Sequence, residues 1–295
     1  MNSTVRTSQS DTGALLSVVI KHASDAFNNQ ESIDKQFKDL NYIDRPNYSK
    51  AIDEYQAFEE LLRQYVPTVH KQDHNSMGGM DSMYCRDASI ITDDGVIMLN
   101  MGKELRKPES QQQADFLDKL DIPVFGKITG AATMEGGDVA WLDTNVLAVG
   151  HGYRTNQEGF DQLSDMLNAT DIECVQVDLP HYKGASDVFH LMSIFSPVGL
   201  RKAVVYSPLM SVKFRNFLLS MDYELIEVPD DEFDTLGCNV LSLDHQTCMM
   251  VEGNPVTQKR IQSVGIEVVC FKGDEICIKG GGGPTCLTRP LLRQL

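Results

Sequence analysis

The sequence predicts an α/β chain closed into a ring of about five similar units, and three observations point there. Pairs of short apolar strands around a turn recur four times. Each pair is followed by a helix-compatible segment and then a third strand, and the pattern repeats at a spacing of about 50 residues. No Pro/Ser-rich linker interrupts it, so residues 1–295 are expected to form one domain, with 1–12 as a flexible N-terminal extension.

In chain order, an N-terminal version of the unit has a strand at "LLSVVIKH", a helix through "NYSKAIDEYQAFEELLRQ" and a strand at "VPTVH". The second unit opens with the hairpin "ASIITDDGVIMLN" and closes with "DIPVFGKI". The third has the hairpin "DVAWLDTNVLAVG", then "NQEGFDQLSDMLNAT" and the strand "IECVQVDL". In its helix Phe160, Leu163 and Leu167 share a face at three- and four-residue steps. The hairpins "SIFSPVGLRKAVVY" and "NVLSLDHQTCMMV" open the last two units, which close with "YELIEVP" and "GIEVVCF". Such units cannot bury their faces alone and must pack on one another. In a radial arrangement the first strands meet near the axis, where side chains from distant parts of the chain converge on a central pocket.

Composition narrows the functions. The 295 residues are 42% hydrophobic, enough for a substantial core, and carry a formal charge of −16, which repels nucleic acid and anionic lipid. No apolar stretch approaches a membrane span and the start lacks a secretory pattern, so no membrane partner and a cytoplasmic location are expected. Seven cysteines show no zinc-type spacing and read as reduced thiols. His70 and His74, four apart, lie in a segment that reads as strand and loop, with no third ligand following, so no metal and no cofactor are expected.

A few polar residues break the apolar pattern. Asp81, Arg86 and Asp87 stand just before one strand, and Glu135 and Asp138 flank a Gly-Gly pair before another. Taken singly these are ordinary turn residues. His190, inside "DVFHLMSIFS", is taken alone an ordinary core histidine. Cys286 follows four glycines, Gly280 to Gly283, in "IKGGGGPTC". Together they form a nucleophile set: a thiol, an imidazole able to move protons near neutrality, and fixed carboxylates. The glycines are expected to let backbone approach a ligand closely, and positive charge to lower the thiol's pKa. A phosphate loop is excluded, since no Lys-Ser or Lys-Thr follows and Pro284 removes an amide donor. His22 and Asp25, after the first strand, lie in either a flap over the pocket or a plain surface turn.

The ordered motifs "DSMYCRD", "EGGDV", "RTNQEG" from Arg154, "FHLMS" and "GGGGPTC" span nearly the whole chain. In them the chain resembles the guanidino-group modifying superfamily, and the early "RPNYSKAIDEY" and "ELIEVPDDE" look most like its dimethylarginine dimethylaminohydrolases. The resemblance implies a pseudo-fivefold α/β propeller of ββαβ units, with Cys286 as nucleophile, His190 as general acid/base and Glu135 beside them. It implies that Asp87 and Glu135 grip a guanidinium, Asp81 the substrate α-amine, and Arg106 and Arg154 its carboxylate, with Asp138 also at the substrate. Arg86, where many of these hydrolases are acidic, is more like arginine deiminases, and the glycine run and the tail "LTRPLLRQL" are more like deiminases and amidinotransferases. The expected partner is therefore a small guanidino compound, and the sequence leaves room for a homodimer. The expected reaction is cleavage of a guanidino C–N bond through a covalent thiouronium, methylated arginine giving citrulline and dimethylamine or methylamine. Alternatives are an arginine deiminase-like hydrolase, an amidinotransferase passing the amidino group to an amine, and a non-catalytic guanidino binder.

Overall fold

The computed structural model describes residues 5–73 and 78–295; His74, half of the rejected histidine pair, lies outside them. Five small sheets are present, four of three strands and one of four. Each contains an antiparallel pair whose second strand takes a third strand in parallel, with helix in between, which is the ββαβ unit expected. The predicted hairpins lie at Ser89–Thr92 with Gly95–Met98, Val139–Asp143 with Val146–His151, Phe195–Gly199 with Lys202–Val205, and Leu241–Ser242 with Thr247–Val251. The closing strands are Val124–Lys127, Glu173–Asp178, Glu224–Glu227 and Glu267–Phe271.

The helices form where an apolar stripe meets a cap. Gln157–Asn168 starts at Asn156, whose side chain accepts from Gly159 N, and its Leu163 and Leu167 are wholly buried. Tyr48–Tyr65 starts at Asn47 in the same way and buries Ala51, Tyr55, Phe58 and Leu62 on one face. Five apolar clusters then join neighbouring units. Val19 and Leu291 meet Ile91 and Val96; Ile90 and Ile97 meet Val139 and Trp141; Ala140 and Ala148 meet Phe195 and Ala203. Val198 and Val204 meet Cys248 and Met250, and Val18 and Ile20 meet Met249 and Val251. Every unit thus adjoins two others, and the fifth adjoins the first. Among the described residues no helix is long and apolar enough to cross a membrane.

The first unit needs both chain ends. Its hairpin partner for Ala14–Ile20 is Arg289–Gln294, so the tail "LTRPLLRQL" is a structural strand. Within the segment expected as a flexible extension, Arg6 and Thr7 join this sheet, pairing with Gln294 and Arg293. Asp11 is buried, its Oδ1 accepting from Arg86 Nη2 at 2.9 Å and its Oδ2 from Trp141 N at 2.7 Å. Burial would raise its pKa, but the charges of Arg86 and Arg293 outweigh that and lower it. Arg86 therefore faces the N-terminal strap, and with Arg289 and Arg293 it makes a buried cationic group that Asp11 partly neutralises. Removing one partner of a buried ion pair leaves the other charge uncompensated. Asp11→Ala is expected to lower unfolding stability by about 3–5 kcal/mol, read from urea denaturation midpoints; an unchanged midpoint would show the strap to be dispensable.

Candidate active site

The turn leading into the first strand of each hairpin carries one polar residue toward a common point. In the second unit it is Asp87, in the short 3-10 turn Cys85–Ala88. In the third it is Glu135, capping Gly136–Asp138, and in the fourth His190, capping Leu191–Ser193. The fifth gives Asn239, ahead of Leu241–Ser242, and the completed first unit gives Cys286, ahead of Arg289–Gln294. A cavity of about 10 Å³, room for roughly one water, is bounded by Asp87, His190, Cys286, Arg154, Lys103 and Val188. Val188 and Gly280 also line a wider hollow of 320 Å³ outside it.

Glu135 is the most enclosed of the set, with no exposed surface. Its Oε2 lies 2.8 Å from His190 Nε2, its Oε1 accepts from Lys103 N at 2.9 Å, and Arg154 Nη1 stands 3.3 Å away. Burial opposes ionisation of Glu135, yet the bond and charge of His190, with Arg154 and Arg106, hold its pKa well below the carboxylate range. For His190, burial would lower the pKa, but the carboxylates of Asp138, Asp87 and Glu135 together push it up to about 9. The imidazole is thus held as a cation at neutral pH. Cys286 differs from the expectation of a lowered pKa: burial first, and Asp87 next, raise it, against hydrogen bonds from Asn239 and Thr285 and the charge of Arg86 that lower it. The resting pair is a neutral thiol and an imidazolium.

Asn239 has no counterpart among the expected residues. Its Nδ2 donates to Cys286 Sγ at 3.3 Å, while its Oδ1 accepts from Thr285 N and Oγ1, so one amide fixes both the thiol and the turn before it. The signal was available in the repeat, since Asn239 precedes the fifth hairpin as Asp87 precedes the second. Asp138, expected at the substrate, is not on the cavity: its Oδ1 accepts from Leu191 N and its Oδ2 from Thr155 Oγ1, anchoring the turn that presents His190. Burial raises its pKa to about 6, opposed by the charge of His190 and these two bonds.

Arg106 lines the cavity but its guanidinium is mostly committed. Nε and Nη2 donate to Glu109, Nη1 to Asp87 Oδ2 at 2.6 Å, and Nη2 also to the carbonyls of Asp81 and Tyr84, which leaves a single Nη1 N–H for a substrate carboxylate. Burial takes Glu109 up to about 7, against the charge and bonds of Arg106. Asp87 keeps one buried oxygen, Oδ1, without a protein partner. Asp81 is bound to Lys103 Nζ at 2.7 Å. Arg154 donates from Nη2 to Asp187 O at 3.0 Å and retains further N–H groups beside the cavity.

The glycine run packs tightly against protein where it lines the cavity with Gly280 and Gly282. Side chains at Gly280 and Gly282 would collide with the ring of Tyr84, and Gly281 has a φ of +76° that only glycine adopts freely. His22 is neither flap nor surface turn: buried, it accepts from Ser24 N to cap Ala23–Phe27 and packs edge-on against Tyr55. His70 is on the strand Thr68–Lys71 with its Nε2 3.1 Å from Ser17 Oγ. Asp87, Glu135 and His190 bring ligand-type atoms within 4.8 Å of one another, with His190 Nε2 and Glu135 Oε2 already bonded to each other.

A side chain at Gly137 would stand 2.6 Å from His190 Nδ1 and 2.9 Å from Asp87 Oδ1. Gly137→Ala is therefore expected to misplace the imidazole and cut kcat by about 10²-fold while the circular dichroism spectrum is kept; wild-type kcat would show that the ring position is not critical.

Residues 23–293 match the family model described as "N,N dimethylarginine dimethylhydrolase, eukaryotic". An uncharacterized protein, YkgA, of Bacillus subtilis is 28% identical over 262 residues, 88% of this chain and 85% of that one. An arginine deiminase of Listeria monocytogenes is 21% identical over 328 aligned positions, 90% of this chain and 79% of its own. In fold, the chain is similar to a cysteine-to-serine mutant of DDAH from Pseudomonas aeruginosa complexed with citrulline, at TM-score 0.75 and 19% identity, over 96% of this chain and 100% of that one. It is also similar to the N-terminal domain of ArgZ, a cyanobacterial arginine dihydrolase, at TM-score 0.77 and 15% identity, over 93% and 97% of the two chains. The chain belongs to the N,N-dimethylarginine dimethylhydrolase family, within the guanidino-group modifying superfamily, and with it to the hydrolases of guanidino C–N bonds.

Proposed function

We propose that this family member cleaves a guanidino C–N bond with Cys286 as nucleophile and His190 as general acid and base, on a pseudo-fivefold α/β propeller formed by one domain. Cyclic adjacency of the five units supports the propeller. The observation that carries the chemistry is one cavity shared by Cys286, the imidazolium of His190 and the unpartnered Oδ1 of Asp87. A guanidinium is planar, permanently charged and rich in N–H donors, and Asp87 Oδ1 is a ready acceptor for it, with Glu135 behind. Its charge beside Cys286 lowers the thiol's pKa, and the thiol proton leaves to solvent.

Sulfur then bonds to the guanidino carbon, the C–N bond breaks, and His190 gives its proton to the departing amine. A thiouronium remains on Cys286. Neutral His190 takes a proton from water, whose oxygen attacks the same carbon; the C–S bond breaks and a ureido product is released. With methylated arginine the products are citrulline and dimethylamine or methylamine, which family membership favours. The arginine deiminase relatives favour a second substrate, an unmethylated guanidino group releasing ammonia. Seven free cysteines fit residence in a reducing compartment such as the cytoplasm.

A panel of arginine, mono- and dimethylarginine, agmatine and guanidinoacetate, assayed for ureido product and released amine, tests the reaction. Product is expected from at least one member and none from Cys286→Ser with its fold intact; full activity in that variant would remove the covalent route. The pH dependence tests the acid. Amine release needs protonated His190, so the rate is expected to fall as pH rises through about 9. Glu135→Gln removes an adjacent negative charge that favours the imidazolium, so this limb should move to lower pH. A limb that does not move would break the assigned link between the two residues.

A further inference from the structure

The cavity wall outside the reacting set has an uncommon charge arrangement. Lys103 Nζ donates to Asp81 Oδ2 at 2.7 Å and to Leu40 O at 2.7 Å, with the lysine side chain only 10% exposed and Asp81 6%. A carboxylate and a carbonyl are the acceptors that a substrate ammonium would seek, and here both are taken by the protein's own ammonium. Lys103 is not a stray surface chain. Its backbone N donates to Glu135 Oε1, and the neighbouring Gly102 is pressed so close to Arg154 that a Cβ would lie 2.6 Å from the Arg154 carbonyl. The root of the lysine is thereby tied to the two residues that hold His190 and flank the cavity.

With Asp81 neutralised, this wall is cationic. Lys103 has a third N–H and Arg154 further N–H groups not engaged by the protein, whereas Arg106 keeps a single Nη1 N–H. An α-amino acid would bring a second ammonium next to Lys103 and compete with it for Asp81. A carboxylate without that ammonium meets only complementary charge. We infer that Lys103 is a specificity-determining residue that fills the ammonium position on Asp81, so the preferred substrate is an ω-guanidino carboxylate, methylated or not, with no α-amino group.

The inference rests on the guanidino-hydrolase proposal for the same cavity and changes the tail expected of the substrate, not its reacting head. The test compares kcat/KM of the full chain for arginine and N-methylarginine with the desamino counterpart of each. The wild type is expected to prefer the desamino compounds by about tenfold or more, a ratio equivalent to ~1.4 kcal/mol. Lys103→Met, with Lys103→Gln as a second variant if the first does not fold, should shift the ratio toward the amino acids. A wild-type preference for the amino acids overturns the inference, as does an unchanged ratio in the folded variant. Absence of ureido product from all four compounds and from every member of the wider panel would instead overturn the hydrolase proposal. In that case thermal shifts of Cys286→Ser with the same pairs still read the tail: larger shifts with desamino compounds support Lys103 in this role, larger shifts with amino acids refute it.

Discussion

A carboxylate with no access to water, Glu135, is the constraint around which the site is organised. An ionised carboxyl removed from water is tolerated only beside fixed positive charge and donors. Three parts of the chain supply them: His190 from the fourth unit, Arg154 from the segment after the third hairpin, and the backbone N of Lys103 from the segment after the second. Each partner is held in turn. Asp138 ties down the turn after His190, and Asp187 O receives Arg154. The ionisation of Glu135 and the placement of three loops are therefore one condition, and the raised pKa of His190 is its other face.

A second condition puts the sulfur in reach. Cys286 is near the end of the chain, yet it lies where the first unit should present its polar residue, because Arg289–Gln294 completes that unit's hairpin beside Ala14–Ile20. That strand carries two buried arginines, Arg289 and Arg293, and Arg86 lies with them. Asp11, from the N-terminal strap, moderates this cluster. The strap and Cys286 are thus linked by a strand and a salt bridge.

Much of this was legible in the sequence. The four hairpins and their closing strands stand where the apolar runs placed them, because short apolar runs bounded by turn residues suit hairpin strands buried on both faces. The polar set was legible as a list, since Asp87, Glu135, His190 and Cys286 interrupt apolar runs at corresponding points of the repeat. Partnership was not legible. That Arg106 is bound by Glu109 and Asp87, that Asp138 supports a backbone turn, and that Lys103 sits on Asp81 are matters of which side chain reaches which partner, and no spacing encodes them. The strap at 5–12 was hidden for a related reason: Asp11 is one acidic residue in a polar stretch until the arginine it meets, 75 positions away, is known.

The resting charge state also sets an order of events. With the imidazolium held up to about 9 by three carboxylates and the thiol raised by burial and Asp87, the ligand-free site stores its proton on the group that donates it in the proposed mechanism, and its sulfur is neutral. A base in the usual sense is then not needed for the first step. What the proposed mechanism needs is a cation placed next to Asp87, because its charge counters the burial and the Asp87 repulsion that keep the thiol neutral. A guanidinium brings that charge with it, whereas a neutral amide or urea of similar shape does not. Selectivity for a charged planar head and activation of the nucleophile therefore follow from the same electrostatic fact, and the ureido product, having lost the charge, loses its hold on Asp87 in the step that forms it.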